Sequence, residues 1–176
     1  MIEALIYRVV NYIEKYDDRK QVSRPVMIFA LQSLMGNLLT FLLCLLFGWA
    51  TGKITEILLV FVCVFLLRTL TGGLHFASPV VCIVVSTLII VSIPFIPINE
   101  PLGMVLTLVS ALLVLVFAPA DLKEKTLITE KGMLVRKIIS LLIICSNLIF
   151  ESALLALSFF CVALALIPIQ GGKRHA

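Results

Sequence analysis

Apolar and polar positions in this chain fall into long blocks, not short alternations. Residues 26–47 are almost wholly apolar, and so are 49–67, 79–93 and 102–118. A last block, 138–169, is too long for one crossing, because a spanning helix needs about 20 residues. Ser146, Asn147, Glu151 and Ser152 punctuate its middle, so it reads as two short helices joined by a tight turn near 147–152. A single kinked helix is the alternative. The segment before these blocks has a different period. Ile2, Leu5, Ile6, Val9, Val10 and Ile13 recur at helical spacing with charges between them, which predicts an amphipathic helix over 1–18. It is too polar to span. It is expected to lie on the membrane surface or to pack against the bundle.

The pattern predicts an all-α, polytopic membrane protein with about six transmembrane helices and an N-terminal amphipathic helix. One domain covers 1–176: a helix and linker over 1–24, a bundle over 25–169 and a basic tail over 170–176. Composition agrees. Apolar types make up 61% of the 176 residues and charged types only 14%, against about 25% charged in soluble domains. The first eighteen residues carry Glu3, Arg8, Glu14, Lys15, Asp17 and Asp18, so no cleavable signal peptide is expected.

The net charge of +4 adds an orientation rather than a nucleic-acid partner. Arg8, Lys15, Arg19, Lys20 and Arg24 precede the first block, and Arg68 ends the second. Lys123, Lys125, Lys131, Arg136 and Lys137 fill the stretch after the fourth, and Lys173 and Arg174 close the chain. The intervening connections hold only Lys53. Basic residues favour the cytoplasmic side, so both termini are expected there in a multi-pass bacterial cell-membrane protein. No metal-ligand spacing and no cofactor motif stands out, and none is expected. The five cysteines, Cys44, Cys63, Cys82, Cys145 and Cys161, are scattered and read mostly as small buried hydrophobes.

One stretch breaks the apolar pattern: Arg68-Thr-Leu-Thr-Gly-Gly-Leu-His-Phe-Ala-Ser-Pro-Val-Val-Cys82. His75 and Cys82 offer a base and a nucleophile. On one continuous helix their seven-residue separation would put them about 10 Å apart along the axis, too far to share a proton. Ser78-Pro79 reads as a helix start, with Ser78 the N-cap and Pro79 the first helical residue. Cys82 then falls in the first turn, where the helix dipole favours a thiolate. Unpaired amides of that turn could hold an oxyanion. Gly72-Gly73 would let the preceding segment bend back so that His75 approaches Cys82. The plain readings stand beside these: an interface histidine, a packing cysteine and a positive-inside arginine. Two further classes, a small-peptide transporter and a structural membrane protein, are also open. A transporter predicts paired charges within several helices, yet only Glu56 and Glu151 lie near the blocks.

At these residues the chain resembles the accessory gene regulator B family of membrane cysteine endopeptidases. The likeness rests on Arg68, Gly72-Gly73, His75 and Cys82 in that order, on Ala118-Pro119-Ala120-Asp121 where the fourth block ends, and on the overall plan. It implies cleavage of a small AgrD-like precursor peptide through a thioester on Cys82, with His75 as base and then acid. Cyclisation to a thiolactone or lactone pheromone would follow. Arg68, Gly72 and Gly73 would support the site or bind substrate. Apart from the resemblance, Asp121 reads either as a third member that orients His75 or as a solvated acid at the loop start. Membrane lipids and a second copy in a homodimer are the other implied partners. Gly48-Trp-Ala-Thr-Gly52 has the small-xxx-small spacing of helix contacts.

Overall fold

The structure, a computed structural model, describes residues 2–16, 24–73, 78–120 and 129–167. These form α1 (Ile2–Tyr16), α2 (Arg24–Thr51), α3 (Ile54–Thr71), α4 (Pro79–Ser92, continued by a 3-10 turn over Ile93–Phe95), α5 (Glu100–Phe117), α6 (Glu130–Phe150) and α7 (Ala153–Leu164). No strand occurs among the described residues, and the architecture is all-helical. Four helices, α2, α3, α5 and α6, are long and apolar enough to cross a membrane; α4 with its 3-10 turn and α7 are shorter apolar helices. Short connections make successive apolar helices antiparallel.

The long final block is two helices, not one kinked helix. Glu151 ends α6 in the left-handed region at φ 50°. The Ser152 hydroxyl then accepts from Leu155 N–H at 3.5 Å and caps α7. Asn147 closes the turn. Its Oδ1 accepts from Ser152 N–H at 3.1 Å, while its amide donates to Ser152 O at 3.2 Å and to Thr107 Oγ1 of α5 at 2.9 Å.

Two boundaries differ from expectation. Lys131, Arg136 and Lys137 do not lie in a loop: α6 begins at Glu130, because the Thr129 hydroxyl accepts from Gly132 N–H at 3.3 Å and caps it. The apolar count started the fifth helix late because charged residues dominate its first turns. Second, α2 runs on to Thr51. A Cβ on Gly48 would stand 2.9 Å from the Ile54 Cα. The small residue therefore serves the tight α2–α3 turn within this chain.

The core has two parts sharing α3. Leu67, Val114, Ala118, Ile144, Phe159, Val162, Ala163 and Leu166 join α3, α5, α6 and α7. Cys44, Ile57, Val60, Ile90 and Ile93 join α2, α3 and the end of α4. Most buried hydroxyls bond within their own helix. Thr40 donates to Gly36 O, Thr107 to Gly103 O, Ser140 to Arg136 O and Ser158 to Leu154 O. This is how a polar group is tolerated where no water reaches it. On the outside, Leu34, Leu38, Leu42 and Leu46 of α2 are exposed, as a lipid-facing surface requires. Helix α1 packs on α2 through Ile6 and Val10. Arg24 ties it down, donating to Glu14 Oε2 and Asn11 Oδ1, each at 2.9 Å.

Candidate functional site

The Arg68–Cys82 stretch connects the end of α3 to the start of α4. Helix α3 stops at Gly72, whose N–H donates to Arg68 O at 3.0 Å. Gly72 has φ 75° and ψ −148°, a conformation open to glycine but scarcely to any other residue. Gly73 follows at φ 134°. A Cβ there would also lie 3.4 Å from Ala165 O, so the chain reverses directly against the end of α7.

Helix α4 starts where Ser78-Pro79 predicts. Ser78 is the N-cap in extended conformation, although its side chain makes no cap hydrogen bond, and Pro79 opens the helix. One expectation needs refining. Cys82 N–H already donates to Ser78 O at 3.2 Å, so it belongs to the helical ladder and is not available to an oxyanion. Pro79 has no N–H. Val80 and Val81 carry the amides that precede the ladder.

The half-buried Cys82 thiol sits beside α3. Arg68 Nη2 points at its sulfur from 3.6 Å, and Arg68 Nη1 donates to Ser86 Oγ at 3.4 Å. Ser86 lies one turn beyond Cys82, so the guanidinium spans two successive turns of α4. Sequence reasoning left Ser86 out, yet its i+4 spacing from Cys82 was a usable signal.

The Ala118-Pro119-Ala120 piece comes to the same place. Ala120 N–H donates to Thr71 O at 2.9 Å, and Gly72 and Ala120 form an isolated parallel bridge. The Ala118–Pro119 peptide is cis. Arg136 of α6 donates to Thr69 O at 3.3 Å from another side. Sequence reasoning gave Thr71 no role and read Arg136 only as a loop charge, because both bonds end on a main-chain carbonyl. Of the predicted site residues, the structure brings Arg68, Gly72, Gly73 and Cys82 to one end of the bundle. His75 and Asp121 lie outside the described residues. A recess of about 300 Å³, lined by Glu100, Met104, Thr107, Asn147 and Glu151 among others, lies at the opposite end and holds none of them.

Apolar helices of spanning length, with a cysteine and an arginine at its sulfur near one end of the bundle, define a membrane protein with a polar, thiol-bearing end. The chain belongs to the accessory gene regulator B family, whose model matches residues 6–171, almost the whole length. No curated protein and no solved structure matches it. Family membership supports a role in processing the peptide of agr quorum sensing, with an AgrD-like precursor as partner.

Proposed function

We propose that this protein is a cysteine endopeptidase that cleaves its precursor peptide at the cytoplasmic membrane face and hands the acyl group on for cyclisation. The observation that carries the reading is the Arg68 guanidinium 3.6 Å from the sulfur of Cys82 in the opening turns of α4. The anion is the attacking form of a thiol, and the Arg68 guanidinium is placed as its counter-charge. The attack forms an S–C bond to the scissile carbonyl and breaks its C–N bond. His75, four residues before the Pro79 that starts α4, takes the thiol proton and returns it to the leaving amine. The N-terminal product stays as a thioester. A cysteine or serine side chain of the bound peptide then displaces Cys82, giving a thiolactone or lactone and restoring the thiol. Water must be kept away in between, and the apolar faces of Val80 and Val81 beside the thiol suit that. The basic residues flanking alternate connections support cytoplasmic termini.

The test is processing of the precursor co-expressed with the full chain. Cys82→Ala and His75→Ala should each abolish cleavage while membrane insertion is kept. Cleavage at the wild-type rate by Cys82→Ala would overturn the reading.

A further inference from the structure

Helix α2 turns one stripe inward: Ser33, Asn37, Thr40, Cys44 and Gly48, spaced as one face of an α-helix. Its far end is closed, with Thr40, Cys44 and Gly48 buried. At its near end Ser33 and Asn37 are only half-buried, although they point the same way. The bundle is therefore open on its inner side at that level.

Two contacts fix which level this is. Phe41 of α2 lies against Phe61 of α3, ring centroids 5.4 Å apart. The helices are antiparallel, so Asn37, one turn before Phe41, comes level with Phe65, within a turn of Arg68. A Cβ on Gly36 would stand 3.9 Å from Ile83 of α4, so Asn37 also stands at the height of Cys82 and Ser86. Asn37, Arg68, Cys82 and Ser86 are all half-buried. They stand at one height where α2, α3 and α4 meet, and together would line a polar cleft there.

The cleft has a floor one turn deeper. Thr87 follows Ile83 by four residues and so faces α2 near Thr40. Both threonines are buried, at 4% and 5% exposure. Thr40 has spent its hydroxyl on Gly36 O at 2.9 Å. Thr87 Oγ1 is buried with no hydrogen-bond partner. Asn37 likewise makes no hydrogen bond among the described residues. A side-chain amide in the middle third of a spanning helix and a buried hydroxyl are both costly without partners. Their unmet groups match a peptide main chain, which brings a donor and an acceptor at every residue.

We infer that this cleft binds the substrate peptide in extended form, with Asn37 hydrogen-bonding its main chain beside Cys82 and Thr87 at the inner end. The inference rests on the peptidase reading and adds two substrate-binding residues to it. It makes Thr87 a group whose removal helps the empty protein and harms the complex.

The full chain in detergent tests this with two probes of Cys82, read by mass spectrometry of the Cys82 peptide. Benzyloxycarbonyl-Ala-Ala-Phe chloromethyl ketone carries a peptide main chain, and iodoacetamide carries almost none. Asn37→Ala and Thr87→Val should each slow the ketone about tenfold, the loss of one hydrogen bond. Both should leave the iodoacetamide rate within about twofold, a margin worth less than one weak contact. Ketone rates unchanged in both variants would overturn the cleft. So would an equal fall with both probes, which marks a packing role. If wild-type Cys82 gains no advantage with the ketone over the exposed Cys145, the peptidase reading itself fails and the cleft falls with it. In that case Cys82→Ala also keeps cleaving, which separates the two failures.

Discussion

Arg68 reaches from the last turn of α3 to the sulfur of Cys82 in the opening turns of α4, 3.6 Å away, and holds Ser86 with the same planar group. A lysine has one compact donor head and cannot match a fork that spans two turns. Arg68→Lys should lose most precursor processing, about tenfold or more, since a charge-assisted contact is worth about 1.5–3 kcal/mol. Arg68→Ala should lose more. A processing time course with protein level held constant checks both, and full activity in Arg68→Lys would show that charge alone suffices.

Gly72 and Gly73 set the reversal between the helices. Alanine at either must adopt a backbone conformation costing about 1–3 kcal/mol. At Gly73 its Cβ would also come into contact with Ala165 O. Gly73→Ala should therefore lower thermal stability in detergent and slow Cys82 alkylation together. A substitution on the lipid side, Leu38→Ala, should change neither.

Ala120 lends its N–H to Thr71 O. Ala120→Pro removes that donor and leaves a buried carbonyl without its partner, a cost of about 1–3 kcal/mol. Processing should fall, whereas Ala120→Ser, which keeps the N–H, should stay close to wild type. Equal behaviour of the two variants would mean that the pairing is incidental.

Asn147 lies far from the thiol and should separate stability from chemistry. Asn147→Ala strips two partners from Ser152 and one from Thr107, so the melting temperature should fall. The loss is about 1–3 kcal/mol per group left unsatisfied. Cys82 labelling in the surviving folded fraction should be unchanged. A selective loss of labelling would count against the separation.

Much of this was legible in the chain. The apolar blocks gave the helices, and Ser78-Pro79 gave the start of α4 to the residue. Glu151 and Ser152 marked the break in the last block, because a polar pair is expensive inside an apolar run. The start of α6 was hidden, since Thr129 caps a turn whose charges look like a loop. The meeting of Ala120 with Thr71 was hidden too. It is a main-chain bond between segments 49 positions apart (120 − 71), and neither residue type records it. The two matching family pieces were read separately, and only the fold shows that they touch. The inward half of α2 escaped notice for a related reason: Asn37 looks like an isolated polar residue until Phe41 and Gly36 fix what stands opposite.

At the end of the bundle away from Cys82, Lys53 reaches from the α2–α3 turn to the tip of α4. Its Nζ donates to Pro94 O at 2.7 Å and stands 4.3 Å from the centre of the Phe95 ring. This pins α2, α3 and α4 together like the sprung end of a clothes peg. The jaws are then at the thiol, where a small angular play at the pin becomes the widest gap.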